Sequence, residues 1–276
     1  MTIRILLPHD GSTCAHAATS VALQLASSLT DTQLVVLHVV NVRPATGNFL
    51  EDLSGRLGFE PAVVRTDVAD AKQTSGELIL SAVAERARQA GVSVETVQVT
   101  GVVSETVLEH SHDKDLVVMG IRGQTEDRYL GQGGEMSSWL PQRSSTPVLL
   151  VPAAVESISS IALGWDGSAA ARHTLRPVRR IAAAAGLAVH AIHVTPDGTG
   201  AALLDELDSM LEGVELSKHV VQGTRAHRTL VEASQQCGAN VLALGYLGRS
   251  KVKDLFFGSS TERVLMDQQL AVLVVR

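Results

Sequence analysis

Ile5-Leu6-Leu7-Pro8-His9-Asp10-Gly11-Ser12 returns as Ile161-Ala162-Leu163-Gly164-Trp165-Asp166-Gly167-Ser168, so the chain is written twice. Each copy is an apolar run closed by Asp-Gly-Ser, the pattern of a strand that turns sharply into a helix. Each copy later reaches a second apolar run that opens a glycine loop. In the first copy the loop reads Gly120-x-x-Gly123, nine residues, then Gly133-Gly134-Glu135. In the second it reads Gly245-x-x-Gly248, nine residues, then Gly258-Ser259-Ser260-Thr261. The hydroxyls of the second loop are replaced in the first by a glycine and a carboxylate.

Working outward from these anchors, both copies alternate short apolar runs with stretches of helical period. Strands are expected at 3–8, 34–40, 93–99, 115–119 and 146–151, and again at 158–164, 187–194, 214–221, 240–244 and 270–275. Helices are expected at 14–29 and 77–90, then near 169–185, 200–212, 225–237 and 259–268, with Pro177 set to kink the first of the later group or move its boundary. This βαβ order gives an α/β fold with a mostly parallel sheet covered on both faces. The Asp-Gly-Ser copies lie 156 positions apart but Gly120 and Gly245 only 125, which puts about 30 extra residues in the first half, within 41–76. The insertion holds Pro44, Gly47, Gly55, Gly58 and Pro61 around a helix-capable piece, Phe49 to Leu57, and is expected outside the common sheet as a helical arm or a flap. Two domains are expected, 1–152 and 153–276, divided near Pro152-Ala153-Ala154.

Composition narrows the function. The chain is 45% hydrophobic but 3% aromatic, so its core is built from Val, Leu, Ile and Ala, as in buried parallel strands. A net charge of −6 excludes a broad nucleic-acid surface. Residues 1–152 hold 17 acidic and 11 basic side chains and residues 153–276 hold 12 of each, so the second half is the one suited to a polyphosphate. Two cysteines, Cys14 and Cys237, at non-equivalent points of the repeat argue against a disulfide framework and for a reducing compartment. No basic-then-apolar leader and no run of 18 apolar residues is present, so a cytoplasmic protein without a membrane partner is expected.

Ligands of open α/β sheets sit outside the carboxyl ends of the strands, where strand order reverses. Asp166, the end of the strand at Val194, and Gly245 all fall there. Gly258-Ser259 opens the last helix, whose free N–H groups attract anions, and Ser259, Ser260 and Thr261 add hydroxyl donors for phosphate oxygens. Arg249, Lys251 and Lys253 lie between the glycines, as phosphate partners or as a solvated basic loop. The pattern is neither GxxxxGK[ST] nor GxGxxG, which sets aside P-loop ATPases and dinucleotide dehydrogenases.

With these motifs the chain resembles the universal stress protein family, as a tandem member. Gly245, Gly248, Gly258 and Ser259 match the family's ATP-binding signature, G-x-x-G, nine residues, G-[S/T], without a gap. The resemblance implies two tandem Rossmann-like domains, each with a five-stranded parallel sheet in order 3-2-1-4-5, paired through their last strands. It implies ATP, with or without Mg2+, near Asp166 and against the backbone of Val194. The first half keeps Asp10, Val39, Gly120, Gly123 and Gly133 but carries Glu135 beside the phosphate position, a repulsion of about 1 kcal/mol or more even in a well-solvated setting. The fold therefore carries over to the first half, and ATP binding does not.

No catalytic or metal-ligating residue is assigned. His110, His112 and Asp113 read as a water-exposed helix end, since a 110/112 spacing does not place two ligands on one helical face. His38 and His193 recur at matching strand ends and read as structural, Cys14 and Cys237 as structural thiols, and Met136 and Trp139 as core or domain-interface residues. The expected function is a stress-response or regulatory protein that binds an adenine nucleotide. The alternatives are a slow ATP-hydrolysing enzyme and an interaction module that binds no nucleotide, and a homodimer is left open.

Overall fold

A computed structural model describes residues 2–29, 31–41, 61–124, 135–246 and 269–276. The first half gives β1 (Ile3–Pro8), α1 (Thr13–Ser28), β2 (Thr32–Asn41), α2 (Pro61–Gln89), β3 (Val94–Gly101), α3 (Val103–Ser111), β4 (Leu116–Gly120), α4 (Glu135–Arg143) and β5 (Val148–Val151). The second gives β6 (Ser160–Gly164), α5 (Ala169–Ala185), β7 (Ala188–Thr195), α6 (Ala202–Asp205), α7 (Leu207–Met210), β8 (Leu216–Gln222), α8 (Ala226–Gln236), β9 (Val241–Gly245) and β10 (Ala271–Val275).

The strands form one ten-stranded sheet in the order β3-β2-β1-β4-β5-β10-β9-β6-β7-β8. That order is 3-2-1-4-5 read once forwards and once backwards. All neighbours within each half are parallel, and the two sets join through a single antiparallel ladder, Val272 opposite Leu150 and Leu273 opposite Leu149. The sheet is thus continuous across the repeat. The central strands β4, β5, β6, β9 and β10 are buried along their whole length, as expected of strands covered on both faces.

Strand alternation divides the core between the two faces. Ile5 and Leu7 point to one side, with Val21 and Leu25 of α1, Val83 of α2 and Val178 of α5. Leu6 points to the other, with Val107 of α3, Leu140 of α4 and Leu230 of α8. Both clusters run through residues of both halves. Polar ties cross the repeat as well. The Gln24 amide donates to the Ile158 carbonyl at 2.8 Å and accepts from the Ile158 N–H at 2.7 Å, while Arg180 meets Asp115 at 2.6 Å.

Local differences from the sequence reading have physical causes. Helix α2 begins at Pro61 rather than near 77, so the latter part of the insertion is helical, with proline at a first helical position that needs no N–H. Helix α3 was foreseen only at its end, near His110 and His112, because nine residues hold too few apolar positions to show a period. The expected helix at 200–212 is two short ones, α6 and α7. Helix α5 runs through Pro177 with its boundaries unmoved. The hydrogen bond that proline cannot give is offset by packing, since Pro177 lies beside Ile3, Leu25, Leu29 and Ile181 around a small apolar void of about 30 Å³. The Phe49–Leu57 piece and the helix expected at 259–268 lie outside the described residues.

Candidate functional site

The two Asp-Gly-Ser turns are built alike. Gly11 at φ +84° and Gly167 at φ +72° take the left-handed conformation that the sharp corner needs. Ser12 and Ser168 then cap α1 and α5, each hydroxyl accepting from an N–H three residues on, Ala15 and Ala171, at 3.2 Å. The preceding carboxylate closes the turn: Asp10 accepts from the Ser12 N–H at 3.0 Å and Asp166 from the Ser168 N–H at 2.9 Å.

In the first half the turn grips the glycine loop. The second oxygen of Asp10 accepts from the Gln124 N–H at 2.8 Å, and the Ser12 hydroxyl donates to the Arg122 carbonyl at 3.2 Å. A side chain at Gly123 would begin 2.8 Å from that Asp10 oxygen, and one at Gly120 would begin 2.8 Å from backbone atoms of Cys14 and Ala15. These glycines bring the end of β4 against the first turn of α1. Gly245 does the same in the second half more tightly, its missing Cβ falling 2.1 Å from the Ala170 carbonyl oxygen.

Around the first-half turn lies a cavity of about 780 Å³, at the carboxyl ends of β1, β2 and β4 where the strand order reverses. Asp10, Val39, Gly120 and Gly123 line it, with Val102, Val107 and Met119 among the apolar wall. Met136 and Trp139 of α4 pack against the apolar core, as expected, and line the cavity too. Helix α4 covers the cavity from a distance in sequence, and the Arg143 guanidinium lies 4.5 Å over the Trp139 ring.

The histidines separate into two roles. His38 donates from Nδ1 to the His9 carbonyl at 2.8 Å, and His193 donates to the Trp165 carbonyl at 2.9 Å, so each ring bolts the second strand of its half to the end of the first. His9, at the place of Trp165 in the repeat, was missed by sequence reasoning. It is 3% exposed, and its Nδ1 accepts from the Gly11 N–H at 3.1 Å, which puts the proton on Nε2. That N–H meets no partner among the described residues, although the ring lines the cavity. Burial, then the neighbouring His16, hold the His9 pKa down to about 4, with Asp10 alone opposing.

In the second half Asp166 follows β6, Val194 stands near the end of β7 in register with Val221, and Gly245 ends β9. Val39 holds the matching place, in register with Val99. Strand β6 lies between β7 and β9 and parallel to both, so Asp166, Val194 and Gly245 fall at the same carboxyl rim. Trp165 is buried and donates from its indole to the Leu203 carbonyl at 3.1 Å. Gly248, Gly258, Ser259, Ser260 and Thr261, the basic residues Arg249, Lys251 and Lys253, and Gly133 and Gly134 of the first half lie outside the described residues.

Of the other residues singled out by sequence, Cys14 adjoins the first turn and the rest stand apart from both. His110 bonds the Thr106 carbonyl at 2.8 Å within α3, and Asp113 pairs with Arg4 at 3.2 Å and with Lys114. Cys14 is buried at the start of α1, and Cys237 is half-buried at the end of α8.

A doubly wound sheet carrying this turn twice, with the glycine spacing repeated in the sequence, defines a universal stress protein, and the sequence model of that family, described as "Universal stress protein family", matches residues 1–152 and 201–276. The chain belongs to that family. It is 26% identical over 286 residues to the universal stress protein Slr1230 of Synechocystis sp., with 99% of both chains covered. It is 27% identical over 150 residues to the universal stress protein YxiE of Bacillus subtilis, spanning 54% of this chain and 97% of that one. Among solved structures, a universal stress protein from Archaeoglobus fulgidus superposes with a TM-score of 0.77 at 22% identity, covering 99% of this chain and 98% of its own. No helix among the described residues is long and apolar enough to cross a membrane.

Proposed function

We propose that this protein is a cytoplasmic stress-response module of two domains, 1–152 and 153–276, that holds one ATP, with or without Mg2+, in its second domain. The observation that carries this reading is the unbroken run Gly245-x-x-Gly248, nine residues, Gly258-Ser259-Ser260-Thr261 in the sequence, which opens at Gly245, the end of the buried strand β9. Gly258, Ser259, Ser260 and Thr261 would hold the phosphates through N–H and hydroxyl donors. Val194 would meet the base through its backbone, and Asp166 would face the nucleoside or, through water, a magnesium ion. The Asp carboxylates support holding rather than turnover: both oxygens of Asp10 already accept backbone N–H groups, and one oxygen of Asp166 does. That leaves Asp10 as a clamp rather than a general base.

The 780 Å³ cavity favours a second reading, in which the first half takes the nucleotide. Calorimetric titration with ATP separates the two. Wild-type protein should bind one equivalent, and Gly258→Val should weaken binding by more than tenfold, about 1.4 kcal/mol. Ser259→Ala should cost about 0.5–1.5 kcal/mol, more if the contact is charge-assisted. Gly133→Val, with folding checked by circular dichroism, should leave affinity nearly intact. Loss confined to Gly133→Val would move the site to the first half, and two equivalents would mean that both halves bind and that Glu135 does not exclude phosphate. No binding at all would leave an interaction module. Turnover of about 1 per second or faster, abolished by Asp166→Ala, would make the protein an enzyme.

A further inference from the structure

At the opposite end of the second half's strands, three side chains with no part in the nucleotide cleft meet. His190 stands early in β7, four residues or roughly 13 Å along the strand from Val194. His219 projects from the neighbouring β8 and Cys237 from the end of α8. Nδ1 of His190 lies 3.4 Å from Nε2 of His219, which lies 3.6 Å from the Cys237 sulfur, and all three atoms fall within 4.8 Å of one another. Among the described residues it is the one such group of His, Cys and carboxylate side chains.

The nitrogen–nitrogen separation is long for a hydrogen bond, since those from nitrogen cluster near 2.9–3.0 Å. Both separations match the edges of a coordination tetrahedron instead. With metal–nitrogen bonds of about 2.0–2.1 Å and a metal–sulfur bond of about 2.3 Å, the nitrogen–nitrogen edge is about 3.3 Å and the nitrogen–sulfur edge about 3.5 Å.

The repeat supplies an internal comparison. Ala162 pairs with His190 as Leu6 pairs with Val35, and Ile192 pairs with His219 as Leu37 pairs with Val97. Both valines pack into the apolar core of that face. The fold is therefore complete at these positions with two valines, and the second half places two half-buried imidazoles there, with a thiol against them. Desolvating polar groups opposes folding unless a partner compensates, and a nitrogen–nitrogen contact of 3.4 Å compensates little. A cation bound by all three would.

We propose that His190, His219 and Cys237 form a three-ligand site for Zn2+ or another divalent ion of that borderline-soft class, with water in the fourth position. Two nitrogens and one sulfur are the donor set such ions select over Mg2+ and Ca2+. On binding, the Cys237 thiol gives up its proton and sulfur becomes a thiolate ligand, while both imidazoles bind through lone pairs. The ion ties the edge strand β8 to β7 and to the end of α8, and, because it binds the folded chain, stabilises it.

The test is titration of chelator-treated full-length protein with Co2+ in the absence of nucleotide. Wild-type protein should show one equivalent of bound ion with a thiolate-to-cobalt charge-transfer band and the intense visible spectrum of four-coordinate cobalt, both abolished by Zn2+. Cys237→Ser should lose the charge-transfer band. His219→Val, which installs the residue the first half uses, should fold and bind at least tenfold more weakly. On wild-type protein alone, Zn2+ should slow alkylation of Cys237 at least tenfold. A pale, six-coordinate spectrum that survives both substitutions, a charge-transfer band that persists in Cys237→Ser, or alkylation that Zn2+ does not slow would each overturn the site.

Discussion

Gly245→Ala should destabilise the protein by about 3 kcal/mol or more, the upper end of what overpacking a core costs. The added Cβ would lie 2.1 Å from the Ala170 carbonyl oxygen, 2.3 Å from its carbon and 2.8 Å from the Ala171 nitrogen. All three are backbone atoms in the first turn of α5, which Ser168 caps, and β9 is held between β10 and β6. Neither element has room to retreat. Gly164→Ala is the matched control: its Cβ would meet the Leu244 Cδ2 at 2.8 Å, the end of a side chain that can rotate away. Urea unfolding of the two variants should separate them by at least 1 kcal/mol, well beyond the typical ±0.5 kcal/mol of a benign substitution. Equal losses would mean that strand and helix shift together. The comparison bears on function, because the first glycine of the nucleotide signature is here a packing residue. Loss of ATP binding in a Gly245 variant would report a damaged fold, which is why Gly258 is the residue to change.

Acid should weaken the fold through His9. Its pKa in the folded protein is about 4, against an ordinary 6.5 in the unfolded chain. The unfolded chain therefore takes up the proton first as pH falls. The contribution is whole above about pH 6.5, is lost progressively down to about 4, and is constant below that. A difference of this size corresponds to about 3 kcal/mol. His16, His38 and Arg86 all push the value down and Asp10 pushes it up, so the largest cause remains burial of a ring only 3% exposed. His9→Asn keeps an acceptor for the Gly11 N–H and removes the titration. The unfolding free energy of wild type minus that of His9→Asn should fall by about 3 kcal/mol between pH 7.5 and pH 4. A difference that stays level over that range would show that His9 is protonated in the folded state or relieved by local opening.

These two residues also mark what the sequence revealed and what it withheld. The strands were legible because those covered on both faces are continuous apolar runs, as in Val148–Val151 and Val241–Gly245. Asp10 and Asp166 were legible because the repeat shows each beside the other. The packing duty of Gly245 was not, since it depends on how closely β9 approaches α5. Helix α2 escaped over its first turns because residues 61–76, with Arg65, Asp67, Asp70 and Lys72 among them, show no apolar stripe. His9, Met136 and Trp139 became cavity residues only when α4 closed over the ends of β1 and β2. His190, His219 and Cys237 are separated by 29 and 18 positions, a spacing that belongs to no short motif and acquires meaning only from strand register.

The antiparallel ladder between β5 and β10 has a geometric consequence. Strands of the first half point one way and those of the second half the other, so their carboxyl ends, and the clefts they form, open on opposite rims of the sheet. A partner docking at one rim meets one cleft and is blind to the other. Both last strands are also consumed in the ladder, leaving β3 and β8 as the free margins of the sheet. The molecule is thus bipolar: a message from an occupied cleft to the far rim has the β5–β10 ladder and the ties of Gln24 to Ile158 and Arg180 to Asp115 to travel through.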